Sequence, residues 1–486
     1  MSQTRFSPKD AGEPLADDVG VNTCVDATVP AKTAREPAVV AVVAEDDSST
    51  DGRVAAAEKL ATTQWSYRSR GGVLDALNRL VPHGGAISGI YNMASVTLGS
   101  GIFSLPFAFR STGILTAVLV LVAITLSTVY SIYLLIEAVD KTGRRLRGYE
   151  ALARGLLGRG WDYLAAFNMW MFCFGSCVSY VISMGDLLSR VTDDPSVNSF
   201  LRTRWGNRVL VIIVWVCAML PLTIPKQVNS LRYVSVIGVT FMMYFVVVIV
   251  IHSAMNGFEN GHMKNEVKVV RGGNDALIGF SMYLFAYLAQ TNTLEVAAEM
   301  QNLTSKRITV HASVSMAICT ALYIVAGFFG YADFGDSLGG SVLRYYNVRT
   351  DAMVAVGYVG LGFKLCVSFA ICMQPSRDSV YYCLGWHVRT LPFWINALVC
   401  AGMSVVALVL GLFIPKVEIV FGLVGSFCGG FIGFIFPALF IMYAGNWGRR
   451  QVGWFHYLST YLLLIAGVIA VVFGTVAAVY GVILDA

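Results

Sequence analysis

Apolar runs long enough to cross a bilayer follow one another from residue 86 to the end of the chain. A spanning helix needs about 20 predominantly apolar residues, and by this criterion the pattern predicts eleven spans joined by short polar connections. The predicted spans cover residues 86–109, 113–137, 162–189, 207–224, 230–252, 275–299, 308–331, 352–376, 391–414, 418–443 and 455–483. The pattern therefore predicts an all-α integral membrane protein.

Residues 1–83 have a different character, because they are hydrophilic and show no sustained periodicity. Their one apolar run, residues 38–43, is too short to span a membrane. This composition is typical of a disordered tail, and it lacks the basic region and apolar segment of a cleavable signal peptide. We expect a disordered N-terminal tail over residues 1–83 and a transmembrane domain over residues 84–486.

The composition agrees with membrane insertion and excludes several classes of function. Of the 486 residues, 56% are hydrophobic and 13% are charged, whereas soluble proteins have about a quarter of their residues charged. The net charge of +5 indicates no nucleic-acid partner, and the ten cysteines show no metal-ligand spacing. The sequence gives no sign of a cofactor, and no catalytic or phosphate-binding arrangement stands at a span end, so an enzyme is not expected.

The basic residues orient the predicted spans. Lys and Arg are concentrated in the tail next to the first span and in the connections on the same side, most densely between the second and third spans. Because cytoplasmic loops are enriched in these residues, we expect a cytoplasmic N-terminus and a C-terminus on the opposite side. The basic connection has a second interpretation as a site for lipid head groups.

Two predicted spans contain polar or flexible interruptions at corresponding places. The first span carries Gly99-Ser100-Gly101, and the sixth carries Gln290-Thr291-Asn292-Thr293. Each opens a group of five spans, residues 86–252 and 275–443, and an odd-numbered repeat must be inverted relative to its partner. Inverted repeats with interrupted helices are typical of secondary transporters that bind substrate near the membrane midplane, whereas helix packing alone is the other explanation of small residues.

These segments resemble the amino acid/auxin permease family, with the protozoan-parasite branch suggested by the long tail. The resemblance covers nearly everything after residue 85 and rests on four motifs in order: GSGIFSLPFAF, PLTIPKQVNSLRYVS, FAYLAQTNTLEVAAEM and QPSRDS. It implies a LeuT-like fold of five plus five inverted helices with an extra helix at residues 455–483. It also implies an amino acid transporter that works by alternating access.

The resemblance implies where an amino acid would bind. The substrate carboxylate would meet the backbone N–H groups around the first interruption, and the ammonium would meet carbonyl groups at the ends of the preceding half-helices. The implied substrate-binding residues are Asn92, Ser95, Gly99, Ser100, Gly101, Ile102, Phe172, Ser176, Phe285, Ala286, Tyr287, Gln290 and Glu295.

The chain departs from sodium-coupled relatives near the implied ion site. Ser95 stands where they carry Asn, Ser368 matches a hydroxyl of their ion site, and Lys364 lies one turn before Ser368. A lysine at membrane depth is a functional hypothesis by default. We therefore expect a sodium-independent carrier that is proton-coupled or facilitative, although Lys364 has a second interpretation as a residue that pairs with a carboxylate or snorkels.

Glu295 is the other charged residue within the predicted spans that bears on function. It could pair with the side chain of a cationic substrate such as arginine or lysine; neutralisation of Lys364 and a role at the inner gate are equally physical alternatives.

A rival function is an amino-acid-sensing receptor whose tail, with the acidic stretch at residues 45–53, signals nutrient state. The default location is the plasma membrane, and an acidic organelle also suits proton coupling. The expected partners are therefore an amino acid, a proton and the lipid bilayer.

Overall fold

The computed structural model describes residues 86–485 except 144–147, 194, 196, 226–230, 258–266, 300–304, 350, 387–390 and 446. The predicted tail over residues 1–83 lies outside this range. Every regular element within the described residues is a helix, which agrees with the all-α prediction.

The bundle is built from helices that follow the apolar runs of the sequence. They are α1 (Ala86–Thr97), α2 (Leu105–Thr112), α3 (Ile114–Lys141), α4 (Trp161–Val191), α5 (Arg204–Thr223), α6 (Leu231–His252), α7 (Asn274–Ala286), α8 (Gln290–Glu299), α9 (Ser305–Phe334), α10 (Ala352–Leu384), α11 (Phe393–Phe413), α12 (Val417–Tyr443) and α13 (Trp454–Ile483).

Nine of the helices in the described part of the chain are long and apolar enough to cross a membrane. The two remaining predicted spans, 86–109 and 275–299, each consist of two shorter helices, α1 with α2 and α7 with α8. Pro106 lies in the first turn of α2, where a proline costs no intrahelical hydrogen bond. The helix therefore accommodates it without a kink.

The helix ends gather into two faces, which hydrogen bonds between neighbouring ends identify. We call the end of the bundle where α1, α4, α9 and α13 begin the near face, and the other end the far face. On the near face, the hydroxyl of Tyr130 in α3 donates to the carbonyl of His456 in α13 at 3.1 Å. On the far face, the N–H of Arg271 donates to the carbonyl of Thr112 at 2.9 Å.

The centre of the bundle contains α4 and α12, each with 78% of its most apolar stretch buried by other parts of the protein. The corresponding values are 28% for α5 and 33% for both α11 and α13, so these helices lie at the periphery. Their large exposed apolar side chains, such as Trp394, Leu398 and Phe455, suit a lipid environment rather than water.

Glycines bring α12 directly against the first half of the second interrupted span. A Cβ built on Gly425 would lie 2.1 Å from the carbonyl oxygen of Ser281 and 2.9 Å from Cβ of Phe285 in α7. One turn later, a Cβ on Gly429 would lie 3.1 Å from Cβ of Leu284. Small residues at helix crossings permit such close backbone approach in membranes, and here they set the position of α7.

We expect Gly425→Ala to destabilise the purified protein, because the added methyl group has to displace the backbone of α7. Overpacking of this kind costs roughly 1–3 kcal/mol, so the melting temperature in detergent should fall. Gly362→Ala is the matched control, since a Cβ there meets no atom within 4 Å. Equal melting temperatures for the two variants would contradict the close α7–α12 contact.

Candidate functional site

The first helix interruption lies between α1 and α2. Helix α1 ends at Thr97, Gly99 adopts an extended backbone (φ −99°, ψ −155°), and a 3-10 turn over Ser100–Ser104 leads into α2. The first N–H groups of any helix have no intrahelical acceptor. The turn that begins at Ser100 therefore brings backbone donors to the interruption.

The second interruption covers residues 287–289, one turn earlier than the polar run of the sequence indicates. Helix α7 ends at Ala286 and α8 already begins at Gln290. The hydroxyl of Thr291 donates to the carbonyl of Leu288 at 3.3 Å, and that of Thr293 to the carbonyl of Ala289 at 2.9 Å. The polar run thus satisfies the backbone of the interruption from within the following helix.

The two interruptions touch each other at Gly101. A Cβ built on Gly101 would lie 2.9 Å from Cβ and 3.1 Å from Cα of Ala286, so a larger residue would push the half-helices apart. Gly101 therefore packs the two half-helices together, which is the other explanation of the small residues in the first span. It also lies where substrate binding is expected.

Tyr323 of α9 joins the ends of both half-helices. Its hydroxyl lies 2.6 Å from the carbonyl oxygen of Thr97 and 3.1 Å from that of Ala286, and its side chain is fully buried. Helix ends leave carbonyl groups unsatisfied, and such groups are costly in an apolar interior. Tyr323 is thus a common hydrogen-bond donor to the two interruptions.

A cavity of about 60 Å³ lies beside both interruptions. Ten residues expected at the site line it: Ser95, Gly99, Ser100, Gly101, Phe172, Ser176, Phe285, Ala286, Lys364 and Ser368. The ring of Phe285 lies 5.3 Å from that of Phe172 and 4.4 Å from that of Phe421, measured between centroids. Lys364 is the one charged residue in the described lining, so the cavity combines backbone groups, hydroxyls, aromatic rings and a single amine.

Lys364 of α10 is 2% exposed, and its Nζ lies 3.5 Å from the carbonyl oxygen of Ser95 at the end of α1. A Cβ built on Gly238 of α6 would lie 2.6 Å from Cδ of Lys364, so Gly238 makes room for the lysine stem. Within the described residues no carboxylate forms an ion pair with Lys364. The structure therefore disfavours the interpretation in which Lys364 pairs with a carboxylate such as Glu295.

Tyr287 and Gln290, expected to line the site, point away from the cavity. The hydroxyl of Tyr287 donates to Oγ1 of Thr320 at 2.8 Å. The amide of Gln290 donates to Oγ of Ser131 at 3.3 Å and to the carbonyl of Gly433 at 3.4 Å. This correction follows from the earlier interruption, because Gln290 is the first residue of α8 and its side chain lies against α3 and α12.

Asn92 and Ile102 also lie outside the cavity lining. Asn92 is on α1 one turn before Ser95, and Ile102 is 2% exposed within the apolar core. The sequence missed Tyr180, Thr291 and Cys372, which do line the cavity.

Glu295 lines a different cavity, of about 200 Å³, on the near-face side of the first. Glu150 and Asp378 share its lining, and Thr291 and Pro375 line both cavities. Burial raises the pKa of Glu150, because it penalises the charged carboxylate. We call this the inner cavity; Glu295 lines it and not the cavity beside the interruptions.

Ion pairs join the helix ends of the far face. Nε of Arg344 lies 2.7 Å from Oδ1 of Asp186 at the end of α4. Arg271 makes a bidentate pair with Asp336, with distances of 3.0 and 3.2 Å, and donates to the carbonyl of Arg110 in α2 at 3.1 Å. Because bidentate charge-assisted bonds are strong, these contacts tie the helix ends of the far face together.

Comparison with known proteins gives a family match over most of the chain. Residues 82–480 match the family model described as transmembrane amino acid transporter protein. Vacuolar amino acid transporter 5 of Schizosaccharomyces pombe is 25% identical over 360 residues, which cover 73% of this chain and 83% of the relative.

Two vertebrate relatives are longer than this chain. Solute carrier family 38 member 10 of Homo sapiens is 27% identical over 72% of this chain, and the match covers 32% of the relative. A Xenopus laevis protein named putative sodium-coupled neutral amino acid transporter 10 is 26% identical over 72% of this chain and 34% of its own length. The chain thus spans about a third of these two relatives.

We expect Tyr323→Phe to lower the stability of the protein, since it removes the donor shared by the carbonyls of Thr97 and Ala286. The carbonyl of Thr97 keeps its bond from the N–H of Gly99 at 2.8 Å, whereas the carbonyl of Ala286 loses its hydroxyl donor. Leaving a buried acceptor unsatisfied costs about 1–3 kcal/mol, which should lower the melting temperature in detergent. Tyr163→Phe, at a largely exposed tyrosine, is the control and should melt like the wild type. A wild-type melting temperature for Tyr323→Phe would refute the bridging role.

Proposed function

The chain belongs to the transmembrane amino acid transporter family, the amino acid/auxin permeases, and from that premise we propose that it is a secondary active transporter importing amino acids by alternating access. We propose a LeuT-like architecture of two inverted five-helix repeats, residues 86–252 and 275–443, with α13 as an eleventh span. The match to a transporter family, and transporter relatives, exclude an enzyme. The observation that carries the proposal is the cavity lined by both interruptions of the bundle.

We propose that the substrate carboxylate binds backbone N–H groups at Gly99-Ser100-Gly101, namely those of Ser100 and Gly101, since the N–H of Gly99 donates to the carbonyl of Thr97 at 2.8 Å. Support comes from the turn that begins there, since N–H groups at a helix start attract anions. The ammonium would bind carbonyl groups at the end of α7, where Phe285 and Ala286 line the same cavity, because the amine of Lys364 already lies 3.5 Å from the Ser95 carbonyl at the end of α1. One cavity thus offers both halves of a receptor for a zwitterion.

The proposed substrate is a small neutral amino acid. The described lining of the cavity contains no aspartate or glutamate, and Lys364 repels a cationic side chain. A water molecule needs about 10–15 Å³ of such space, so about 60 Å³ corresponds to roughly four to six non-hydrogen atoms. That is the size of glycine or alanine rather than of lysine or arginine.

We propose that transport is independent of sodium and coupled to protons through Lys364. Its amine, 3.5 Å from the Ser95 carbonyl and close to Ser368, would repel a sodium ion at the implied ion site. An ammonium buried without a carboxylate is expensive, so release of its proton relieves that cost. The Xenopus laevis relative is named as sodium-coupled. The proposed coupling of this chain therefore differs from the coupling in that name.

The near face is proposed to lie in the cytoplasm, because the predicted connections on that side carry most of the basic residues. The inner cavity would then be the exit for substrate in the conformation whose far face is closed. We expect the plasma membrane as the location; two relatives are named as vacuolar transporters, and localisation of the tagged chain distinguishes the two membranes.

Liposomes containing the purified chain test the function directly. Labelled alanine should accumulate both by counterflow and when an inward proton gradient is applied, with or without sodium. Uptake of all the common amino acids, each measured at two pH values, then gives the substrate range. Binding without counterflow would instead support the receptor alternative. Accumulation that requires sodium would overturn the coupling proposal while leaving amino acid transport intact.

We expect Lys364→Gln to abolish proton-driven accumulation of alanine, because an amide cannot take up the proton. Counterflow at equal pH on both sides should persist at a reduced rate. Lys306→Gln, at an exposed near-face lysine, is the matched control and should behave like the wild type. An unchanged response to the proton gradient in Lys364→Gln would remove this residue from the coupling mechanism.

We expect Glu295→Gln to leave the half-saturating concentration of alanine unchanged, because Glu295 lines the inner cavity rather than the substrate cavity. Release to the near face should slow, which efflux from preloaded liposomes measures. If lysine is a wild-type substrate and Glu295→Gln abolishes its uptake alone, Glu295 instead contacts a cationic substrate.

A further inference from the structure

A separate polar cavity of about 540 Å³ lies on the near face, away from the substrate cavity and the inner cavity. It separates the C-terminal end of α3 from the connection between α12 and α13. We call it the α3–α13 cavity; its lining residues are Tyr133, Leu134, Glu137, Lys141, Ala444, Gly445, Trp447, Gln451, Val452 and His456.

Aromatic residues around the cavity mark its height in the membrane. Tyr443, Trp454 and Phe455, at the ends of α12 and α13, are 62%, 58% and 72% exposed. The guanidinium of Arg449 lies 4.2 Å from the ring centroid of Trp454. Exposed aromatic and basic side chains at helix ends are typical of the head-group layer, so the cavity opens at that level rather than in the hydrocarbon core.

The charges around the cavity favour an anion. Glu137 and Lys141 form an ion pair at 3.2 Å, which leaves this pair nearly neutral. Arg449 and Arg450 are exposed on the short helix Arg449–Val452, whose last two residues line the cavity. The excess positive charge beside the cavity therefore comes from Arg449 and Arg450, and basic pockets between helices on the cytoplasmic side suit anionic lipid head groups.

An apolar surface continues from the cavity along α3. Leu119, Val122 and Leu126 are 61%, 43% and 67% exposed, and helical spacing places them on the side of α3 that carries Tyr133, which lines the cavity. Acyl chains can lie along this surface while the head group occupies the cavity. A free anion such as inorganic phosphate would use the charges but not the apolar surface.

We propose that the α3–α13 cavity binds the phosphate-bearing head group of an anionic phospholipid, whose acyl chains lie along α3. The bound lipid bridges α3 to the α12–α13 connection. The polar tip of Gln451 and the ammonium of Lys141 are the donors to the phosphate within the cavity, and Arg449 and Arg450 supply charge at its rim. This site is independent of the proposed transport function.

Titration of the detergent-solubilised full-length chain with dioctanoyl phosphatidylserine, followed by melting temperature, tests the proposal. We expect a saturable rise, with dioctanoyl phosphatidylcholine and inorganic phosphate giving little or none. The double variant Arg449→Gln/Arg450→Gln should bind the anionic lipid about fivefold more weakly for each charge removed. An equal rise with inorganic phosphate would overturn the lipid assignment.

The matched control removes a basic pair from the far face. Arg208 lies 4.8 Å from the rings of Trp205 and Phe413, so Arg204→Gln/Arg208→Gln changes a similar aromatic and basic site that borders none of these cavities. It should keep wild-type affinity, and an equal loss in both double variants would refute a specific site. Ala444→Phe fills the α3–α13 cavity without changing charge; wild-type affinity in that variant would also overturn the proposal.

Discussion

The carbonyl groups at the ends of α1 and α7 impose the constraint on which the rest of the structure depends. Backbone N–H and carbonyl groups outside a helix at membrane depth find hydrogen-bond partners only where they line a cavity or lie against protein. The single hydroxyl proton of Tyr323 is shared between one carbonyl from each helix, which is possible only because Gly101 lets the two interruptions touch. The position of α9, the crossing of the half-helices and the cavity beside them follow from this arrangement.

The near face and the far face of the bundle differ in their polar contacts. Far-face arginines are tied to carboxylates and carbonyls at the ends of α2, α4 and α9. Toward the near face, carboxylates instead line a cavity that shares Thr291 and Pro375 with the cavity beside the interruptions. Under the proposed alternating access, opening the far face requires those ion pairs to break.

Hydrophobic runs were sufficient to predict the helices, because about twenty apolar residues have few alternatives to a spanning helix. The first interruption could also be predicted from its glycines, because the backbone freedom of glycine is a property of the residue itself and not of its neighbours. The second interruption was misplaced by one turn, because Thr291 and Thr293 look like loop residues yet bond back to the preceding carbonyls. This error of one turn changes the predicted direction of the Gln290 side chain. The role of Tyr323 could not be predicted from the sequence, because it depends on how α9 packs.

Lys364 shows how one unfavourable group can be accommodated by geometry rather than by charge. A side chain on Gly238 would occupy the space of the lysine stem, so the glycine on α6 and the lysine on α10 form a complementary pair. The amine then reaches the end of α1, where a carbonyl at 3.5 Å offers weak compensation, and a buried charge with weak compensation is costly. A proton on Lys364 therefore raises the cost of the packed conformation around Ser95, as the proposed proton coupling requires.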